Sequence, residues 1–119
     1  MSSQASAEPQ GPVKEVLRLG GTTVIKLTGD IDMYCSPAVR KVLMEATESR
    51  VPSLAIDVSE VPHMDSSGVA TMVEALQKVR RYKGRLVLVG LQDRVKSVFE
   101  IAKLTDLFEI KSDLREVQP

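Results

Sequence analysis

A single α/β domain with a mixed sheet is the fold class this sequence predicts, and three observations carry the prediction. Two short β-branched runs flank Gly20-Gly21 near the start of the chain, which is the signature of an antiparallel hairpin. Further on, compact apolar runs alternate with longer stretches whose apolar residues recur at helical spacing. The segments between those runs are long enough for right-handed crossovers, which join parallel strands. Together they predict a hairpin followed by parallel strands, with about four helices flanking the sheet.

The elements follow in order. Residues 1–12, rich in Ser, Ala, Gln, Gly and Pro, lack the apolar block of a signal peptide and read as a disordered tail; the domain is expected over 13–119. Val13 to Leu19 and Thr22 to Leu27 form the hairpin. After the loop Gly29 to Cys35, Ser36 is expected to cap a helix with Pro37 at its first position, and Val39, Val42, Leu43 and Ala46 give it one apolar stripe. Leu54 to Val58 reads as a buried strand. A second helix is expected from about Ser66 to Tyr82, with Val69, Met72, Val73, Leu76 and Val79 inward and Gly84 as its stop. Arg85 to Val89 is the next buried strand, followed by a helix that Asp93 caps and that turns Val95, Val98, Phe99 and Ala102 inward. Leu107 to Ile110 reads as a last strand, and Ser112 as the cap of a short helix ending near Val117.

Composition narrows the function. The 119 residues carry 16 basic and 16 acidic side chains, so no broad positive field is present to neutralise nucleic-acid phosphates, and direct nucleic-acid binding is not expected. The basic group Lys78, Arg80, Arg81, Lys83 and Arg85 surrounds a helix end, where cations complement the macrodipole. One cysteine, Cys35, and one histidine, His63, cannot assemble an ordinary zinc site or an internal disulfide. No metal or cofactor is expected, and a reducing cytoplasm is the natural setting. No run approaches the roughly 18 apolar residues of a membrane span. No phosphate-cradling Gly-x-x-x-x-Gly-Lys-Ser/Thr loop occurs.

Ligands of open parallel sheets gather beyond the carboxyl ends of the strands, here at Gly29 to Cys35, Glu60 to Asp65 and Gly90 to Gln92. The first two loops hold the chemically distinctive residues. His63-Met64-Asp65-Ser66-Ser67-Gly68 places two serines at a helix N-terminus, where amide protons and a partial positive charge accommodate a phosphate. Taken alone, Asp-Ser-Ser-Gly is also a good capping sequence. A Ser66–His63 nucleophile and base would be the enzymatic alternative. It lacks a Gly-x-Ser-x-Gly elbow, and a lone histidine would have to fill every role.

Gly29-Asp30-Ile31-Asp32 after a hairpin, with Met64-Asp65-Ser66-Ser67-Gly68 after the next strand, resembles the STAS domain of bacterial anti-sigma factor antagonists, over about Val16 to Val117. The resemblance implies a non-enzymatic regulator. Ser66 takes the family's phosphoacceptor position, with Ser67 as second choice. The implied partner is an anti-sigma factor serine/threonine kinase, which the unphosphorylated antagonist binds, freeing the sigma factor. Phosphorylation by that kinase ends the interaction, and a serine/threonine phosphatase reverses it. Partner contacts are expected from Asp30, Asp32, Met33, Tyr34, His63, Met64, Asp65, Ser67 and Gly68. Asp32 has an equal alternative as a local turn former, and Met33 and Tyr34 as residues that pack on the following helix. Val69-Ala70-Thr71-Met72 departs from the family's more usual Leu-Gly start, and Tyr34-Cys35 is bulkier than its common small residues. The alternative function is a STAS scaffold or accessory subunit of a transporter or stressosome-like complex.

Overall fold

The computed structural model describes residues 11–117. Strands β1 (Val13–Leu19) and β2 (Thr22–Thr28) lead to helix α1 (Ser36–Glu48), strand β3 (Ser53–Glu60), helix α2 (Ser66–Arg81), strand β4 (Arg85–Val89), helix α3 (Asp93–Ile101) and strand β5 (Glu109–Lys111). A four-residue 3₁₀ turn, Leu114–Val117, follows. The sheet order is β1-β2-β3-β4-β5. β1 and β2 are antiparallel, with Leu19 opposite Thr22 across the Gly20-Gly21 turn. Gly20 supplies the left-handed φ of 63° there, a conformation that costs glycine little. The remaining pairs are parallel, so the mixed sheet has the predicted form.

Right-handed crossovers between strands taken in chain order place every helix on one face. Ile25 and Leu27, Leu54 and Ile56, and Leu86 and Leu88 meet Val39 and Leu43 of α1, Met72 and Val79 of α2, and Val95 and Phe99 of α3 there. Alternation turns Val24, Ala55, Val87 and Val89 to the opposite face, where Leu17, Leu19, Leu114 and Val117 pack.

Six expectations are corrected. The described residues hold three α-helices rather than about four, because the last segment closes as a 3₁₀ turn. Asp113 rather than Ser112 holds its start, accepting from the Arg115 amide at 2.8 Å. The last strand begins at Glu109, since Phe108 turns into the core and meets Phe99 edge-on at 5.4 Å. Ser36 is a buried residue of α1, not its cap, and the cap position belongs to Cys35. Gln92 holds the corresponding place before α3, its side chain donating to the Ser59 carbonyl at 2.8 Å; Asp93 is the first helical residue, and Ala102 is exposed beyond the end. As for the tail, residues 1–10 lie outside the described residues. Pro12 is buried, and its carbonyl accepts from Thr28 N at 2.8 Å, so the folded region begins before Val13.

All three helices end alike. Arg50, Lys83 and Lys103 take φ of 53°, 62° and 59°, and the next residue donates back to Ala46, Val79 and Phe99 carbonyls respectively. Glycine is the usual occupant of this position. After α2 the left-handed residue is Lys83, one place before the expected stop. Gly84 is needed for another reason: a Cβ there would lie 2.6 Å from Tyr82 Cε1 and 3.1 Å from Val79 Cγ1. A left-handed φ costs an L-residue about 1–2 kcal/mol, whereas a cation near a helix C-terminus returns about 0.3–1. Arg50→Gly is therefore expected to stabilise the fold by roughly 0.5–1 kcal/mol, read as a higher urea midpoint with unchanged slope.

Candidate functional site

The loops after β2 and β3 are held together as an extension of the sheet. Gly29 N donates to Glu60 O at 2.9 Å, Ile31 N to His63 O at 3.0 Å and Asp65 N to Ile31 O at 3.0 Å, which makes Ile31 and Met64 an isolated parallel pair. Both side chains point inward, exposed by only 1% and 4%; burying each contributes about 1.5–3 kcal/mol. Gly68 lies directly over them. A Cβ there would stand 2.5 Å from Met64 Cγ and 2.9 Å from Ile31 Cγ2. Met64 and Gly68, both expected at the partner edge, are buried in the free chain, where they set the position of α2 against the first loop.

Asp65 caps α2. One carboxylate oxygen accepts from Ser67 N at 2.9 Å, Ser67 Oγ at 2.6 Å and Gly68 N at 3.3 Å. The two serines thereby acquire different chemistry. Ser67 is half-buried with its hydroxyl committed to Asp65, while Ser66, the first helical residue, is exposed. Among the described residues the Ser66 hydroxyl makes no hydrogen bond, so its oxygen is open to an incoming group.

The Ser67 hydroxyl holds the Asp65 carboxyl below the ordinary carboxylate range, aided by the Gly68, Ser67 and Met33 amides and opposed by desolvation. A carboxyl with a lowered folded value stabilises above the unfolded range and loses that contribution as pH falls through the folded value. Asp65→Ala is accordingly expected to lower the urea midpoint at neutral pH, and the gap to wild type should close as pH falls below the ordinary carboxylate range. A gap independent of pH would contradict the ionised cap.

Asp32 forms the local turn. Its Oδ1 accepts from Tyr34 N at 2.9 Å and Cys35 N at 3.2 Å, and its carbonyl accepts from Ser36 N at 2.8 Å. That turn lifts Met33 and Tyr34 outward, 64% and 87% exposed, and they do not pack down on α1. The Cys35 thiol tucks beneath, donating to Asp30 O at 3.3 Å, and burial raises its pKa.

Asp30 is exposed and lies 3.1 Å from His63 Nδ1. The other ring nitrogen, Nε2, meets the Arg94 guanidinium of α3. Neither nitrogen is bonded to Ser66, so the histidine is not placed as a base for that hydroxyl. Arg94 escaped the sequence reading. Its only signal there is proximity to the loop after β4, at the carboxyl end of that strand. The exposed groups of this loop edge, besides Ser66, are thus Asp30, Met33, Tyr34, His63, Asp65 and, from α3, Arg94. Glu60, nearby, is paired with Lys14 at 2.9 Å.

No group of His, Cys, Asp and Glu among the described residues could hold a metal ion, and no described helix is long and apolar enough to cross a membrane. A hairpin leading into parallel strands, with helices on one face and an Asp-Ser-Ser-Gly helix start beside a Gly-Asp-Ile-Asp loop, matches the model of the STAS domain over residues 13–117. The chain belongs to the STAS family. A curated STAS relative from Listeria monocytogenes, named anti-sigma-B factor antagonist, is 40% identical over 88 residues, which are 74% of this chain and 77% of the relative. The fold is shared with a putative anti-sigma factor antagonist from Thermotoga maritima, at a TM-score of 0.80 and 17% identity over 85% of this chain and 87% of that one. It is shared also with a Bacillus cell fate determinant solved in its phosphorylated form, at a TM-score of 0.69 and 20% identity over 86% and 93%. The STAS domain here carries its open serine on the loop edge that the sheet's polarity assigns to ligands.

Proposed function

We propose that this protein is an anti-sigma factor antagonist. Unphosphorylated, it binds an anti-sigma factor serine kinase through the loop edge around Ser66 and so releases the sigma factor. The kinase then transfers the γ-phosphoryl group of ATP to Ser66 Oγ; the hydroxyl proton is lost, ADP leaves, and the interaction ends. A serine/threonine phosphatase hydrolyses the phosphoserine and restores binding. The protein contributes no catalytic group, and the cycle runs in the cytoplasm.

One observation carries this reading: Ser66 is exposed and unbonded at the first position of α2, while its neighbour Ser67 is committed to the Asp65 cap. Relatives named anti-sigma-B factor antagonists support it. A phosphate adds about −1.5 to −2 charges near neutral pH, and a helix N-terminus tolerates that charge. The modification therefore acts at the interface and leaves the fold in place.

The test is to capture partners from the native cytoplasm on the full chain, add ATP, and record the intact mass. One added phosphate on wild type and none on Ser66→Ala, with the kinase bound to both unmodified baits, is the expected result. Capture of a non-kinase assembly with no phosphate transferred would replace this function with that of a scaffold or accessory subunit.

A further inference from the structure

Asp30, His63 and Arg94 come from three separate segments, the loop after β2, the loop after β3 and the first turn of α3, and they meet in one line. A guanidinium has donors and no acceptor. His63 Nε2 must then be the accepting nitrogen, and the ring proton belongs on Nδ1, where it points at Asp30 Oδ1. That is the tautomer opposite to the one a free imidazole favours, so something must hold it. Two groups are in place to do so: the Asp30 carboxylate, which accepts from Nδ1–H, and Arg94, which donates to Nε2. Without Arg94 the tautomer rests on the exposed Asp30 contact alone, and the Nε2–H form gains population.

We propose that Arg94 is a positioning residue for partner recognition: donating to Nε2, it reinforces the Nδ1–H tautomer of His63, and Nδ1–H in turn holds the Asp30 carboxylate in one orientation on the loop edge that carries Ser66. The proposal rests on the reading of this edge as the partner's docking face. Its physical content is preorganisation. A rotamer-rich side chain already fixed in the free protein does not lose that freedom on binding, and such immobilisation is worth roughly three- to tenfold in affinity per side chain. It also brings α3 into the binding face, although that helix contributes no residue of the serine motif.

The chain contains a single histidine, so every imidazole signal in a ¹⁵N-edited NMR spectrum of the full protein belongs to His63. With the ring neutral, wild type is expected to carry the proton on Nδ1, Arg94→Ala to raise the Nε2–H share against the remaining Asp30 contact, and Arg94→Lys, which keeps a cationic donor, to retain Nδ1–H. Affinity for the captured kinase should fall roughly three- to tenfold in Arg94→Ala and recover in Arg94→Lys. In an Asp30→Asn background the Arg94→Ala loss should disappear. A wild-type ring protonated on Nε2 overturns the proposal, as does a tautomer indifferent to Arg94 or one that changes with no change in affinity. Should no kinase bind wild type, the functional reading fails, and the imidazole spectrum still upholds or overturns the ordering of the three side chains.

Discussion

Ser66→Asp is expected to weaken binding to the partner kinase by about a hundredfold, with almost no change in the melting temperature. The two halves of that expectation have separate causes. Ser66 is exposed and gives up no hydrogen bond among the described residues, and a negative charge at the start of a helix is favourable by about 0.3–1 kcal/mol. The fold therefore has no reason to weaken. The interface has one, because Asp30, Asp32 and Asp65 already stand along the same edge and a partner that accepts them must accept a further charge. Uncompensated like charges brought together at an interface cost several kcal/mol, and about 2.7 kcal/mol corresponds to a hundredfold. Calorimetric titration against the kinase, with Ser66→Ala as the neutral control, gives the number. Equal affinities for aspartate and alanine would show that charge at this position is not what the partner senses. If the existing acidic field contributes, the aspartate penalty should shrink as salt is raised.

Gly68→Val is expected to be strongly damaging to the fold, lowering stability by about 3 kcal/mol. In an exposed helix the change would be mild, since glycine is itself a poor helix former, by about 1 kcal/mol relative to alanine. Here the new Cβ would fall 2.5 Å from Met64 Cγ and 2.9 Å from Ile31 Cγ2. Both neighbours are buried, and their backbones are tied by the hydrogen bonds flanking the Ile31–Met64 pair. Neither can give way without lifting α2 or opening the loop pair, and either movement disturbs the Asp65 cap. The same crowding predicts a coupling. Met64→Ala alone leaves a cavity at a cost of about 2–5 kcal/mol, yet combined with Gly68→Val it frees the space the valine needs. The double variant should then be more stable than the sum of its parts by about 1 kcal/mol or more. Denaturant unfolding of the four proteins measures it, and strict additivity would place the clash elsewhere.

The sequence was most legible where periodicity and turn chemistry agreed. Gly20-Gly21 between β-branched runs marked the hairpin, and the stripe through Val69, Met72, Leu76 and Val79 marked the buried side of α2. It was least legible where one residue type has two uses. Ser36 looks like a cap because Pro37 follows it, yet the turn made by Asp32 starts the helix one residue earlier. Asp93 likewise has the right chemistry for a cap, and instead spends its charge on the helix dipole. Gly84 read as a stop, when steric room beside Tyr82 is what requires it. The serine motif was visible as a string, but what distinguishes Ser66 from Ser67 is the direction of the Asp65 carboxylate. Arg94 was invisible for a more general reason. Its partner is 31 positions away in the chain, and a lone arginine in the first turn of a helix carries no spacing that points to a histidine.

The identity of sheet order and chain order also bears on how the molecule is made. Each strand joins the edge left by the one before it, so none has to be inserted between two already in place. Assembly can follow synthesis, from hairpin to β5, with each crossover helix laid down as its strand docks. Closing on the nearest edge keeps the loop that must be ordered short. The Ile31–Met64 junction needs only β2, β3 and the start of α2. The elements that frame Ser66 have therefore emerged before α3 brings Arg94, and the regulatory edge is completed from its serine outward.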